Sequence, residues 1–432
     1  MHELAKTLYR IRTIMTLLFT LLGVISAAAH YTCTSKIDCE HLGTCVEGAC
    51  ACFAGFTGPS CAQLDLAPAD PATAILYPPP PALGVNGRAY AWGFTVVAPD
   101  DDNAGGLYHA VANVGCYDPH GPMVENTFLM HLTSTQPDRG FAPRGIVAAQ
   151  SSFNPHLVRA PAGRTDRSYA LYFRVNPPVQ ANYSGMCGGI ANATTWAAIV
   201  EQGPYINTER LPAGVESLLV AWSPSMGPGG WQVQPVNITG DATCSRPKSN
   251  PSAVFLRSPG AGVALAYRYE LHGGSEGINV AVGKTFRGPF ASVLPCQYNL
   301  SHTWGEDPFI WQSRADGSLH ILYHCMRFGH GLPNWPALHA FSPNADGTGT
   351  SPNWYTTTSP AKIGAYGTNL SWANGTWSGD AFDRRERPEL MFDAASGAPR
   401  FFYSAVQETP ASKSDGWGWS FSFVQPVRGG GA

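Results

Sequence analysis

Two acidic side chains stand together before a proline in Gly305-Glu306-Asp307-Pro308, and a second charged run, Asp383-Arg384-Arg385-Glu386-Arg387-Pro388-Glu389, repeats the Glu-x-Pro ending. Both stand out in a chain with only 13% charged residues. Paired carboxyl groups can divide acid and base work across an acetal oxygen. One, kept protonated by burial or by a neighbouring carboxylate, protonates the leaving oxygen, and the other stays ionised. Glu306, Asp307 and Glu386 are therefore the candidate catalytic residues, with Glu306 expected to hold the proton because Asp307 and Glu386 repel its charge. Arg385 and Arg387 carry planar donor forks suited to a hydroxyl-rich or anionic ligand, although the same run also reads as a structural ion-pair cluster.

The proline punctuation recurs and indicates what must position these residues. Phe153-Asn154-Pro155-His156, Ser249-Asn250-Pro251, Glu306-Asp307-Pro308 and Glu386-Arg387-Pro388 each open an apolar strand that turns into a second strand, and Ala89–Val97 begins a fifth unit. Successive prolines are 96, 57 and 80 residues apart, too irregular for a solenoid and suited to blades with long loops. The expected fold is all-β, a five-bladed β-propeller. Proline inside a sheet is confined to edges, bulges or strand starts, and the residue before it is pushed to extended geometry. Strands apolar at every position, such as Pro308–Trp311, belong between two packed layers.

On this reading Asn154, Asn250, Glu306, Asp307, Glu386 and Arg387 surround one central opening, the default binding site. His156 and His324 join them as candidate substrate ligands. His109 and His339 recur near blade strands and read equally as core histidines. Trp304, Trp311, Trp335 and Trp354 are candidates for stacking on sugar rings.

The Glu-x-Pro elements within proline-started repeats resemble the five-bladed propeller glycosidases that act on arabinans, xylosides and fructans, over roughly residues 90–425. The resemblance implies that Glu306 is the general acid, and that acidic residues beside proline at other blade starts serve as base or nucleophile and as pKa modulator. The first unit, Ala89–Gly93, carries no acid, and the units at 154 and 250 carry Asn.

Composition narrows the alternatives. A net charge of −3 excludes nucleic-acid binding by bulk electrostatics. Aromatic residues at 11% argue for a folded chain, and Gly 47 with Pro 36 interrupts it too often for long helices. No spacing of a zinc site, phosphate loop or nucleophile elbow occurs. No metal and no cofactor are expected, with a cation at the funnel centre left open.

Residues 1–29 read as a signal peptide: Lys6, Arg10 and Arg12 precede the apolar run Ile14–Ile25 and then small residues. An uncleaved signal anchor is the competing reading, and no other run is long enough to span a membrane. Sequons at Asn182, Asn192, Asn237, Asn299, Asn369 and Asn374 fit a secreted glycoprotein.

Six of the eleven cysteines crowd into Cys33, Cys39, Cys45, Cys50, Cys52 and Cys61, a disulfide scaffold whose spacing alone leaves the pairing open. The ending Cys50-Ala-Cys52-Phe-Ala-Gly55-Phe56-Thr-Gly58-Pro-Ser-Cys61 resembles an EGF-like domain over residues 30–62. That resemblance implies the bridges Cys33–Cys45, Cys39–Cys50 and Cys52–Cys61, and no calcium, because the acids that precede the first Cys in calcium-binding members are absent. Of the other five, Cys116, Cys187, Cys244, Cys296 and Cys325, a Cys244–Cys296 bridge is expected, with Cys325 a buried thiol. Residues 63–87, rich in Pro and Ala, read as a stiff spacer isolating this module from a propeller at 88–428.

The expected function is a secreted glycoside hydrolase acting on an extracellular oligo- or polysaccharide, with a protein partner open to the EGF-like module. A non-catalytic carbohydrate-binding or cell-surface adhesion propeller is the alternative, and a purely structural extracellular protein the third reading.

Overall fold

The computed structural model describes residues 32–73, 89–99, 106–116, 127–148, 152–161, 164, 167–175, 198–199, 201–208, 217–240, 248–257, 262–270, 276–294, 305–325, 337–343, 354–356, 364–367, 370–375, 382–408 and 420–429. The cysteine-rich segment forms two small hairpins, β1 (Gly43–Val46) with β2 (Ala49–Cys52) and β3 (Phe56–Thr57) with β4 (Gln63–Leu64). Its bridges are Cys33–Cys45, Cys39–Cys50 and Cys52–Cys61, the pairing of an EGF-like domain.

Five antiparallel sheets follow. Blade one is β5 (Ala89–Val97), β6 (Tyr108–Cys116), β7 (Thr127–Ser134) and β8 (Ala142–Ala148); blade two is β9 (Ser152–Arg159), β10 (Tyr169–Val175), β11 (Ser217–Ser223) and β12 (Gln232–Pro235). A short β13 (Ile238–Thr239) lies parallel to the outer strand of blade three, which is β14 (Ser249–Phe255), β15 (Val263–Glu270), β16 (Glu276–Gly283) and β17 (Phe290–Ser292). Blade four is β18 (Gly305–Gln312), β19 (Leu319–Cys325), β20 (Ala337–Ser342) and β21 (Tyr355–Thr356). Blade five is β22 (Phe382–Phe392), β23 (Pro399–Glu408) and β24 (Ser420–Pro426). The first strand of each sheet lies innermost, and β5, β9, β14, β18 and β22 touch in turn, with β22 returning to β5. The chain is a five-bladed β-propeller.

Each pair of blades encloses its own apolar layer, which is why the strands are apolar on both faces. Phe94, Met130 and Tyr403 pack between blades five and one, and Leu129, Leu171 and Phe173 between one and two. Val220, Leu265 and Tyr267 fill the next interface, and Ala266, Ile321 and Tyr323 the one after. At about 1.5–3 kcal/mol for each large side chain fully buried, these layers hold the ring.

The fifth layer has an added component. Cys39, Leu42, Cys61 and Leu64 of the EGF-like module join Phe309, Trp311, Leu322, Leu390 and Phe402 of blades four and five in one buried cluster. The module is docked, and the expected isolating spacer does not separate it from the propeller at residues 63–73. There the chain runs along the outer edge of β24: Ala67 N–H donates to Pro426 O at 2.8 Å, Arg428 N–H to Asp65 O at 2.7 Å, and Thr73 Oγ1 to Val424 O at 2.7 Å. This strap covers a sheet edge that would otherwise present unpaired backbone groups. Residues 74–87 lie outside the described residues, as do Cys187, Cys244 and Cys296; Cys325 is buried at the end of β19.

Candidate active site

All five innermost strands break register at the same place. Pairing skips two residues between Ala91 and Phe94, between Ser249 and Ser252, between Glu306 and Phe309 and between Glu386 and Glu389, and β9 skips likewise between Phe153 and His156. The first skipped residue or its neighbour has positive φ in every case: Gly93 (85°), Asn154 (57°), Asn250 (49°), Asp307 (54°) and Arg387 (57°). The extended geometry expected before proline is therefore not adopted, because the bulge turns these residues into the left-handed region. For a non-glycine residue that costs about 1–3 kcal/mol and is typical of functional sites; Asn and Asp tolerate it best. In blade one, glycine does the same work without a proline.

The bulges place five residues in a ring about the propeller axis. Asn154 Nδ2 donates to Asn250 Oδ1, Asn250 Nδ2 donates to Asp307 Oδ1, and Arg387 Nη1 lies 2.8 Å from Asp307 Oδ1. A pocket opens along this ring, lined by Trp92, Asn154, Asn250, Asp307, Arg387 and Glu389 among others. One residue earlier on their strands, Glu306 and Glu386 stand beside it. Glu306 Oε1 accepts from Asn250 at 3.1 Å and from Arg268 at 2.6 Å, and Arg268 is in turn paired with Glu276. His324 Nδ1 is 3.7 Å from Glu386 Oε1.

Electrostatics divides the carboxyl groups. Burial, reinforced by the neighbouring Glu306 and Glu386 against the pull of Arg387, raises Asp307 to about 7. Burial also pushes Glu306 up, but the Arg268 guanidinium, with Arg387 and His324, outweighs it and holds Glu306 below its ordinary value. The raised carboxyl pKa expected at Glu306 thus falls to Asp307 instead. Asp307 Oδ2 is buried and accepts no hydrogen bond among the described residues. Ligand atoms of Glu306, Asp307, His324 and Glu386 all lie within 4.8 Å of one another. Three carboxyl groups and an imidazole suit a hard divalent cation, but Glu306 already carries the Arg268 counter-charge and Asp307 lies against Arg387.

Two expected substrate ligands lie elsewhere. Arg385 is 2% exposed and points into the packing of blade five, donating to Ser404 Oγ (3.1 Å), Gly367 O (3.1 Å) and Gln425 Oε1 (2.8 Å) amid the rings of Phe402, Tyr366 and Phe423. The alternation of the strand turns it away from the axis. His156 engages both ring nitrogens, one with Glu389 Oε1 at 2.7 Å and the other with Ala253 O at 2.9 Å, tying blade two to blades five and three. Burial lowers its basicity, yet the Glu389 carboxylate more than compensates and its pKa is raised.

Trp311 stacks on His320 inside the module interface and Trp354 is buried, while Trp304 and Trp335 lie outside the described residues. Arg268, Gly93 and Glu389 were missed as site residues. A glycine inside a strand pattern was the available signal for Gly93; none in the sequence singled out Arg268.

Residues 36–64 match the family model of a Teneurin-like EGF domain. No curated protein matches the chain by sequence. Among solved structures, the chain is similar to the catalytic domain of a family 62 alpha-L-arabinofuranosidase from Coprinopsis cinerea (10% identity, 84% of this chain and 98% of that one, TM-score 0.49). It is also similar to an alpha-L-arabinofuranosidase from Lactobacillus brevis (10%, 78% and 90%, 0.47) and a family 117 glycoside hydrolase from Zobellia galactanivorans (13%, 80% and 86%, 0.45). The chain is an EGF-like module on a five-bladed propeller whose structural neighbours are glycoside hydrolases.

Proposed function

We propose that the propeller hydrolyses O-glycosidic bonds of an extracellular glycan at its axial site. The observation that carries this reading is the cluster of Glu306, Asp307 and Glu386 carboxyl groups gathered with His324 within 4.8 Å at the axis, in which burial raises Asp307 to about 7 while Arg268 holds Glu306 below its ordinary value. Asp307 donates its proton to the departing glycosidic oxygen, while the Glu306 and Glu386 carboxylates face the positive charge that develops on the sugar ring. Asn154, which donates one N–H to Asn250, and Arg387 supply donors to sugar hydroxyls, while both Nδ2 hydrogens of Asn250 hold the Asp307 and Glu306 carboxyl groups in place. Three disulfides suit an oxidising compartment, and no helix among the described residues is long and apolar enough to cross a membrane. The sequon residues Asn237 and Asn374 are exposed; the other four lie outside the described residues.

The test is turnover of aryl glycosides and polysaccharides by the wild type, Asp307→Asn and Glu306→Gln. Loss of an acid–base group costs about 10²–10⁴-fold, and Asp307→Asn should spare substrates with good leaving groups. Wild-type activity should fall above pH 7 as Asp307 loses its proton. A non-catalytic glycan-binding propeller is the second reading, favoured by Gly93, Asn154 and Asn250 standing where further acids would complete the ring. Glycan binding by a wild type that cleaves no substrate would establish it.

A further inference from the structure

The innermost strands run past the axial ring and end in turns on the far face of the propeller. On blade four, Gln312 closes β18 five residues beyond Asp307, about 17 Å farther along an extended strand. Arginines tie these turns together from blade to blade. Arg164, in the turn of blade two, donates from Nη2 to Leu256 O at 3.0 Å and Gly262 O at 3.4 Å, both in the turn of blade three. The next residue there, Arg257, donates its backbone N–H to Gln312 Oε1 of blade four at 2.8 Å. Arg314, in the turn of blade four, donates to Ala394 O and Ala395 O in the turn of blade five. Gly397 makes room for Arg314: left-handed at φ 72°, it would bring a Cβ to 2.5 Å from Arg314 Cδ.

The guanidinium of Arg257 has no counter-charge in this arc. Arg257 and Arg314 are both exposed, and the Arg257 side chain has no hydrogen-bond or ion-pair partner among the described residues. Partial burial, with Arg314 next to it, pushes the pKa of Arg257 down. The turn of blade three, residues 256–262, contains no acid. The acid in the turn of blade four, Asp316, is taken by Lys36 and His41 of the EGF-like module at 2.5 and 2.8 Å and by Ser318 Oγ at 2.6 Å. Asp393, in the turn of blade five, accepts from the backbone N–H groups of Ala395 and Ser396 and from Ser396 Oγ. Asp166 and the run Asp100 to Asp102, in the first two turns, lie outside the described residues. The docked module thus occupies the carboxylate nearest in sequence to Arg314, and two planar donor forks of like charge face solvent together. Such forks match a carboxylate or a sulfate group bidentately.

We propose that this far face is a second glycan site, at which Arg257 and Arg314 hold the acidic groups of a polysaccharide bearing carboxylate or sulfate. Arginines that follow one another from blade to blade suit a linear polyanion, which presents its charges in sequence. None of these turns exposes a large apolar or aromatic side chain among the described residues, so they offer nothing to insert into a lipid surface and no platform on which bases could stack. A polymer held here leaves the axial site uncovered, and it keeps the protein on its matrix between encounters at the axis.

The test reads binding without cleavage, so its outcome is separate from that of hydrolysis at the axis. The full chain is titrated calorimetrically with polygalacturonate, with dextran sulfate and with neutral dextran, at low salt and at ~0.5 M salt. The wild type should bind an acidic polymer and not the neutral one, the tighter of the two acidic polymers identifying the acidic group, and should release it in high salt. Arg257→Gln should weaken binding about tenfold, and adding Arg314→Gln should abolish it. Arg139→Gln, at an arginine already engaged by Asp138 and Asp70, should leave it unchanged. Binding of neither acidic polymer, equal binding by the wild type and the double variant, or a preference for phosphatidylserine–phosphatidylcholine vesicles over both polymers overturns the site. Arg257 lends the fold only its backbone N–H, so Arg257→Gln decides alone should the double variant fail to fold.

Discussion

The side chain of Arg387 occupies the space that a side chain at Gly93 would need: a Cβ at position 93 would lie 2.8 Å from both Cβ and Cγ of Arg387. The gap left by blade one is therefore what lets blade five reach Asp307 on blade four. Gly93→Ala should lower stability by about 2–4 kcal/mol, from the left-handed φ and the overlap together. Denaturant unfolding at neutral pH checks this. A neutral effect would mean that Arg387 has another place to go, and that its pairing with Asp307 is incidental.

Asp307 should leave a signature in stability against pH. Its folded pKa is raised from 3.8 to about 7, so its contribution to stability is fully present below about pH 4 and is lost as pH rises through 7. Asp307→Asn should flatten that decline, and the two proteins should differ most above pH 7. Chemical denaturation at pH 4, 6 and 8 measures it, and parallel curves would place the proton elsewhere.

Arg385→Ala should destabilise blade five without altering catalysis. Removing a buried guanidinium that fills a space between three rings and satisfies Gly367 O and Gln425 costs about 3–5 kcal/mol. The Michaelis constant and pH profile of the folded variant should match the wild type. A raised KM with unchanged melting would restore Arg385 to the binding site.

Deleting residues 30–64 should expose the apolar face shared by Trp311, Leu390 and Phe402 and lower the melting temperature by at least about 10 °C. Scanning calorimetry of the truncated chain decides the matter; an unchanged transition would make the module dispensable to the fold.

The repeat was legible because proline marks the bulge in four of five innermost strands, and because strands buried on both faces are apolar throughout. The EGF-like bridges were legible for a similar reason, since cysteine, glycine and aromatic positions fall within one short segment. What escaped involves partners far apart in the chain. Docking of the module depends on contacts such as Glu40 with His339, which no local pattern announces. The misplacement of Arg385 came from reading a charged run as one surface, although alternate residues of a strand face opposite ways. The low pKa of Glu306 was not legible because it depends on Arg268, which approaches from another blade.

The strap along β24 sets a condition on biosynthesis. Residues 65–73 emerge directly after the EGF-like module, yet the strand edge they pair with, Val424–Arg428, is made only after the four intervening blades, with Val424 351 residues beyond Thr73. Translation must therefore pass through every blade before the circle can be fastened, and the early blades wait as open sheets with one face unpartnered. Such long-range closure makes for slow maturation and for exposure to aggregation while the chain is incomplete. A ribosome stalled before Ser420 would hold a molecule with four blades made and its buckle undone.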